Sequence, residues 1–141
     1  MTERWNPWRA LRERPQIELR QQWLRGRRGL WVPNGDGTST IYLDPRASRR
    51  ERRCTLAHEL VHEERGLAYT SATPAAMVQL EERAVTRIAV ARLAPVDELL
   101  HLVTTAPAEL AVWEIADHFD VDHATAQTAC RLAAVRLADV A

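Results

Sequence analysis

The chain has 141 residues, 46% of them apolar and 27% charged, enough to bury one core and too apolar for a disordered segment. No apolar run approaches the roughly 18–20 residues that cross a bilayer, the arginine-rich start MTERWNPWRALRER has no apolar stretch or cleavage site of a secretory signal, and two cysteines, Cys54 and Cys130, make no disulfide framework. A single cytoplasmic domain over residues 1–141 is the expectation. The formal net charge of zero hides an asymmetry: residues 1–57 hold 13 arginines against 6 acids, and residues 58–141 hold 6 against 13, with no lysine anywhere. The reading adopted is that the two halves neutralise each other across the fold.

In chain order, Asn6-Pro7 is an N-cap with proline at the first helical position, opening a short helix to about Arg14. IELRQQWL, RGLWVP and STIYLD have the β-branched and aromatic content of three short strands. Between the last two, Asn34-Gly35-Asp36-Gly37 predicts a hairpin turn. A small antiparallel sheet is therefore expected. Ser48 and Glu51 have the spacing of a capping box, and the helix they open should end at Gly66. A loop, LAYTSATP, precedes a second helix from about Ala75 to Ala94, stopped by Pro95. Shorter helices are predicted at Val96–Val103, Ala108–Phe119 and Ala124–Val140, with Asp122 or His123 near the last N-cap. Sheet first and helices afterwards is the α+β pattern, a small antiparallel sheet followed by a helical bundle.

The capped helix contains His58-Glu59-Leu60-Val61-His62, a complete H-E-x-x-H. Histidines four residues apart leave a helix on one face, so both imidazoles can reach one divalent ion at about 2.0–2.1 Å. Glu59 lies between them, offset from the ion yet close enough to hold a water on it. Zinc brings such a water to a pKa of about 7, and a neighbouring carboxylate can take its proton and deliver it to a leaving amine. The competing reading is a partly buried helix whose histidines are satisfied by hydrogen bonds. A catalytic zinc needs a third protein ligand, and Glu81 and Glu82 stand about 20 residues after His62 on a helix that can pack beside the first.

CTLAHELVHEERG followed by EERAVTRIAVARLAP, with IYLDP ahead of them, resembles the ImmA/IrrE family of small zinc metallopeptidases over roughly residues 15–100. The resemblance implies a zincin-like fold with a helical bundle carrying the H-E-x-x-H helix. An N-terminal helix over about 1–14, a catalytic core over 15–104 and a C-terminal helical pair over 105–141 would divide the chain. The family's Glu-x-x-Ala-Asn/Asp pattern, laid on Val85, Ala89 and Leu93-Ala94-Pro95, makes Glu82 the third Zn2+ ligand after His58 and His62, with Glu81 the alternative. It makes Glu59 the catalytic residue. Thr86 departs from the pattern, standing where Asn or Asp would orient a ligand histidine. What the resemblance implies about partners is a protein substrate, a helix-turn-helix repressor cut at one site in mobile-element or stress regulation. The alternative is a weak or inactive zincin-fold module that regulates a partner by contact.

Cys54, one turn before His58, is expected in the core rather than as a fourth ligand, and Cys130 likewise. Tyr69 is expected to pack, with donation to a tetrahedral intermediate as the alternative if its hydroxyl faces the metal. Asp117, His118, Asp120, Asp122 and His123 read as caps and turn formers rather than a second metal site. His101 is expected at the surface. The last two helices have a helix-turn-helix look, but only Arg131 and Arg136 lie on the second while acids crowd the first. Counterion release on DNA needs several cations facing phosphates, so direct DNA binding is not expected and these helices are read as core cover or a protein docking surface.

Overall fold

A computed structural model describes residues 3–140. Helix α1, Pro7–Arg12, is capped by Asn6, whose Oδ1 accepts from the Trp8 N–H at 2.9 Å. Three strands follow: β1, Ile17–Gln21; β2, Gly29–Pro33; and β3, Ser39–Leu43. The Asn34–Gly37 turn joins β2 to β3 as an antiparallel hairpin, with Gly35 and Gly37 both at positive φ (84° and 87°).

The sheet is mixed, where an antiparallel sheet is the sequence expectation. Its order is β1-β3-β2, and β1 pairs with β3 in parallel. β3 takes the centre because it is the most buried strand; Ser39, Thr40, Ile41 and Leu43 are all inside. The chain after β1 must therefore pass over the end of β3 to reach β2. Asp44 fixes that crossing: its carboxylate accepts from the Leu24 N–H at 3.0 Å and from Arg46, and Arg46 also donates to the Leu24 carbonyl at 2.9 Å. These arginine and backbone donors hold the Asp44 carboxyl well below the usual carboxylate range.

Helix α2, Arg49–Arg65, carries the complete capping box of Ser48 and Glu51 and ends on Gly66 at φ 74°. Helix α3, Ala75–Leu93, antiparallel to it in the chain's return, packs Val85 and Ala89 against Ala57 and Val61. Helices α4, Val96–Thr105, α5, Val112–Phe119, and α6, His123–Val140, complete the bundle. α5 begins four residues later than expected, because Ala108–Ala111 is spent bringing Leu110 onto the core; Glu114 Oε2 then accepts from the Ala111 N–H at 2.7 Å. α6 is capped by Asp122, whose Oδ1 accepts from the Thr125 N–H at 2.8 Å, and buries Ala126, Ala129 and Ala133. Among the described residues no helix is long and apolar enough to cross a membrane.

α2 stands between two cores. Leu56 and Leu60 join Ile17, Ile41 and Leu43 under the sheet, while Cys54, Ala57 and Val61 join the helical cluster around Phe119. The arginines of α2 tie the C-terminal helices to it. Arg49 and Arg50 pair with Asp117 and Asp120, and Arg53, only 6% exposed, donates to the Asp120 carbonyl at 2.9 Å. That carbonyl closes the C-terminus of α5, where Asp120 adopts the left-handed conformation at φ 56°. A guanidinium at a helix C-terminus meets both orphan carbonyls and the negative end of the dipole. Basic residues of the first part of the chain meet acids of the remainder at this joint, and again in the Arg4–Glu98, Arg14–Glu63 and Arg28–Asp122 pairs.

Arg53→Met keeps most of the buried stem but leaves those carbonyls without a donor. It should lower unfolding free energy by about 2 kcal/mol, read from chemical denaturation of the metal-free protein, with Arg12→Met at the surface as the comparison.

Candidate metal centre

The site is built on the side of α2 that neither core covers. His58 and His62 project there one turn apart, their rings in edge contact with centroids 4.9 Å apart. Glu82, one turn before the buried Val85 of α3, reaches across to them. Its Oε1 lies 3.2 Å from His58 Nε2 and its Oε2 2.6 Å from His62 Nε2. Donor atoms of all three residues fall within 4.8 Å of one another.

Two imidazoles and one carboxylate are the donor set of a catalytic zinc, with a fourth position left for water or substrate. A tetrahedral ion with bonds of about 2.0–2.1 Å sets its donors about 3.3 Å apart. The observed separations need only a slight opening to accept it. The residues present therefore fit the ion.

Glu81 and Glu82 are separated by their ion pairs. Glu81 turns the other way, onto the Arg65 guanidinium, with Arg65 Nη2 donating at 3.0 Å. Cys54 stays out of the cluster; its Sγ accepts from the Asp122 N–H at 3.5 Å, and burial pushes its thiol up. His58, His62 and Glu82 form the metal-capable cluster found among the described residues, so no second one arises at Asp117–His123. His101 is exposed, and Cys130 packs half-buried against the core.

Glu59 lies beside the cluster without joining it and is 7% exposed. Burial pushes its carboxyl up from the usual carboxylate range, while the His58 and His62 charges and the Trp31 backbone N–H pull it back. The side-chain position results from a close approach of β2 to α2. A Cβ on Gly29 would run into Thr55 Cγ2 and come within 3.2 Å of Glu59 Cγ. A glycine inside an otherwise apolar strand signals just such an approach, and it is the clue in RGLWVP that the sequence reading passed over.

The cluster opens into a groove of about 790 Å³, walled by β2 on one side and by Leu67 and Tyr69 on the other. Pairing of Arg28 with Asp44 and of Asn34 with Thr38 fixes the parity of the β2–β3 ladder. Residues 29, 31 and 33 then point their backbone groups away from β3, toward the free edge. Tyr69 donates its hydroxyl to Glu82 Oε2 at 2.7 Å, so it faces the cluster. Thr86 lies one turn beyond Glu82 and, with His58, Thr125 and Thr128, borders a cavity of about 150 Å³.

A family model described as Peptidase_M78, IrrE N-terminal-like domain, matches residues 17–131. The chain belongs to this family. The match runs from the first residue of β1 into α6, and so takes in the sheet, both ligand-bearing helices and the helices that close the core. No curated protein matches the chain. As an IrrE N-terminal-like domain it carries the zinc-ligand cluster of a zinc metallopeptidase on a zincin-like α+β fold.

Glu82→Ala should weaken zinc binding by more than about 100-fold, since losing a ligand exceeds the 10- to 100-fold cost of losing an outer partner. Glu81→Ala should stay within about tenfold of the native value. Elemental mass spectrometry and chelator competition on both variants check the assignment.

Zinc binding should also depend on pH. Burial opposes a charge on His62, but its hydrogen bond to Glu82 and the charges of Glu59, Glu82 and Glu81 outweigh it, raising its pKa above 6.5. Metal ligation needs the neutral imidazole. Zinc affinity should therefore rise by about tenfold per pH unit below that raised pKa and flatten above it. The metal-free protein should do the reverse: stabilisation from charged His62 is complete below pH 6.5 and is lost as pH climbs through the folded-state value. Thermal melts with and without zinc, from about pH 6 to 8, read both slopes.

Proposed function

We propose that the chain hydrolyses peptide bonds with His58, His62 and Glu82 as the zinc ligands and Glu59 as general base. The observation that carries this reading is the convergence of those three donors next to a buried carboxylate that no ligand position requires. When bound, zinc supplies an acidified water and polarises the scissile carbonyl. Glu59 accepts the proton of the attacking water and passes it to the leaving amine. Its burial serves that task, because a carboxyl pushed up from the usual carboxylate range is a stronger base toward that proton.

The groove favours an extended peptide as substrate. Gly29 and the carbonyls of Trp31 and Pro33 point to the free edge of β2, while the Trp31 N–H is held by Glu59, and a strand laid beside that edge would exchange main-chain hydrogen bonds with them within reach of Glu59. Resemblance at the level of sequence supports the finer reading of a site-specific protease whose substrate is a helix-turn-helix repressor. The second reading, a regulatory module acting by contact, is favoured by Thr86, which borders the same cavity as His58 and brings a hydroxyl where the family pattern has Asn or Asp.

Glu59→Gln separates them. It should retain about one zinc per chain and lose cleavage of an extended peptide or repressor substrate by at least about 100-fold. Cleavage at the native rate in that variant would remove Glu59 from the mechanism. Absence of cleavage by the native zinc-loaded protein across a peptide library and a set of repressors, with partner binding retained in Glu59→Gln, would establish the regulatory module.

A further inference from the structure

Glu82 receives three hydrogen-bond contacts, and two of them, from His58 and His62, occupy the directions in which those histidines would turn to an ion. The third comes from Tyr69 and has no such competing use. Its hydroxyl meets Glu82 Oε2 at 2.7 Å, and its ring stands edge-on to the His62 ring, with centroids 5.8 Å apart at 89°. One side chain thus touches both a histidine and the carboxylate of the cluster.

The segment that presents Tyr69 is fixed locally. It leaves α2 through the left-handed Gly66 and enters α3 at Pro74. Immediately after Tyr69 the chain folds on itself: the Thr70 N–H donates to Thr73 Oγ1 at 2.9 Å, the Ala72 N–H to Thr70 Oγ1 at 3.2 Å and the Thr73 N–H to the Thr70 carbonyl at 3.0 Å. A loop tied by its own threonines holds an aromatic side chain with less loss of freedom than an untied one.

We propose that Tyr69 is a positioning residue of the metal centre, its hydroxyl retaining one oxygen of Glu82 so that only the other is offered to the ion. A carboxylate can give a metal one oxygen or two. Two would consume the position that a water must occupy in a catalytic site. A hydrogen bond that engages one oxygen keeps the carboxylate single-toothed, and it removes the rotational freedom that a glutamate would otherwise lose on ligation. The ring stands edge-on against His62. This assignment rests on the metal centre alone and does not need peptide hydrolysis.

The test uses the full chain and Tyr69→Phe, which keeps the ring and removes only the hydroxyl. Zinc dissociation constants from competition with a chromophoric chelator should rise by about 10- to 100-fold in the variant, with far-UV circular dichroism unchanged. Cobalt(II) in place of zinc reads the coordination directly. The native protein should give the intense visible bands of a four-coordinate ion, and Tyr69→Phe the weaker bands of a higher coordination number. Unchanged zinc affinity together with an unchanged cobalt spectrum would overturn the proposal. A loss of kcat with both unchanged would likewise overturn it, and would assign the hydroxyl to the substrate instead. A native chain that binds neither ion would fail the metal reading itself, a result distinct from either.

Discussion

Two imidazoles four residues apart can share one ion only if the helix that carries them cannot roll, and the structure is arranged around that requirement. Leu56 and Leu60 anchor α2 to the sheet, and Ala57 and Val61 anchor it to the bundle. These two apolar faces leave one side of the helix, with Thr55, His58, Glu59 and His62, facing the groove. Burying four such side chains, each about 1% exposed or less, stabilises the helix by an amount no propensity term approaches. The catalytic arrangement is a by-product of a helix fixed from two directions.

Fixing α2 also fixes what comes to it. Arg49, Arg50 and Arg53 lie on its first two turns, and each reaches the end of α5 or the turn after it. The opposite charges of the two chain halves meet here and at the Arg4–Glu98, Arg14–Glu63 and Arg28–Asp122 pairs, and this joint is where the ligand helix meets the helices that close the core. Arginine suits this place because its planar fork serves a carboxylate and a carbonyl at once. At the far end of α2, Arg65 draws Glu81 away. One carboxylate of an adjacent pair is thus committed to an ion pair with Arg65, and the other lies in the metal-capable cluster.

What could be read in the sequence follows from how local each cause is. Ser48, Glu51 and Gly66 set the ends of α2 through contacts within four residues, and the Asn34–Gly37 turn sets the hairpin in the same way. The H-E-x-x-H spacing needs only the helical pitch to have meaning. The parallel pairing of β1 has no such local cause. It follows from β3 being the most buried strand, a tertiary fact that chain order does not encode. The late start of α5 is similar, since Leu110 gains more from the core than Ala108–Ala111 gains from a further helical turn. Glu82 could be chosen over Glu81 from the sequence only through the family pattern; the physical discriminator, Arg65, lies 16 residues away from Glu81.

The same geometry explains how the cluster can exist before an ion enters it. Three donors held this close would repel if all were in their metal-binding forms, with lone pairs directed inward. Protons relieve the conflict: hydrogen bonds from His58 and His62 hold Glu82 charged well below the usual carboxylate range, and Glu82 with its acidic neighbours raises His62 despite burial. His58, His62 and Glu82 would hold a zinc ion through the same side-chain atoms that contact one another here. Tyr69 and Glu59 are the groups whose contacts need not be exchanged, because neither directs its bond along a histidine lone pair. The three donors are thus gathered by contacts among themselves between the fixed walls of the groove, which is the preorganisation that a catalytic centre requires.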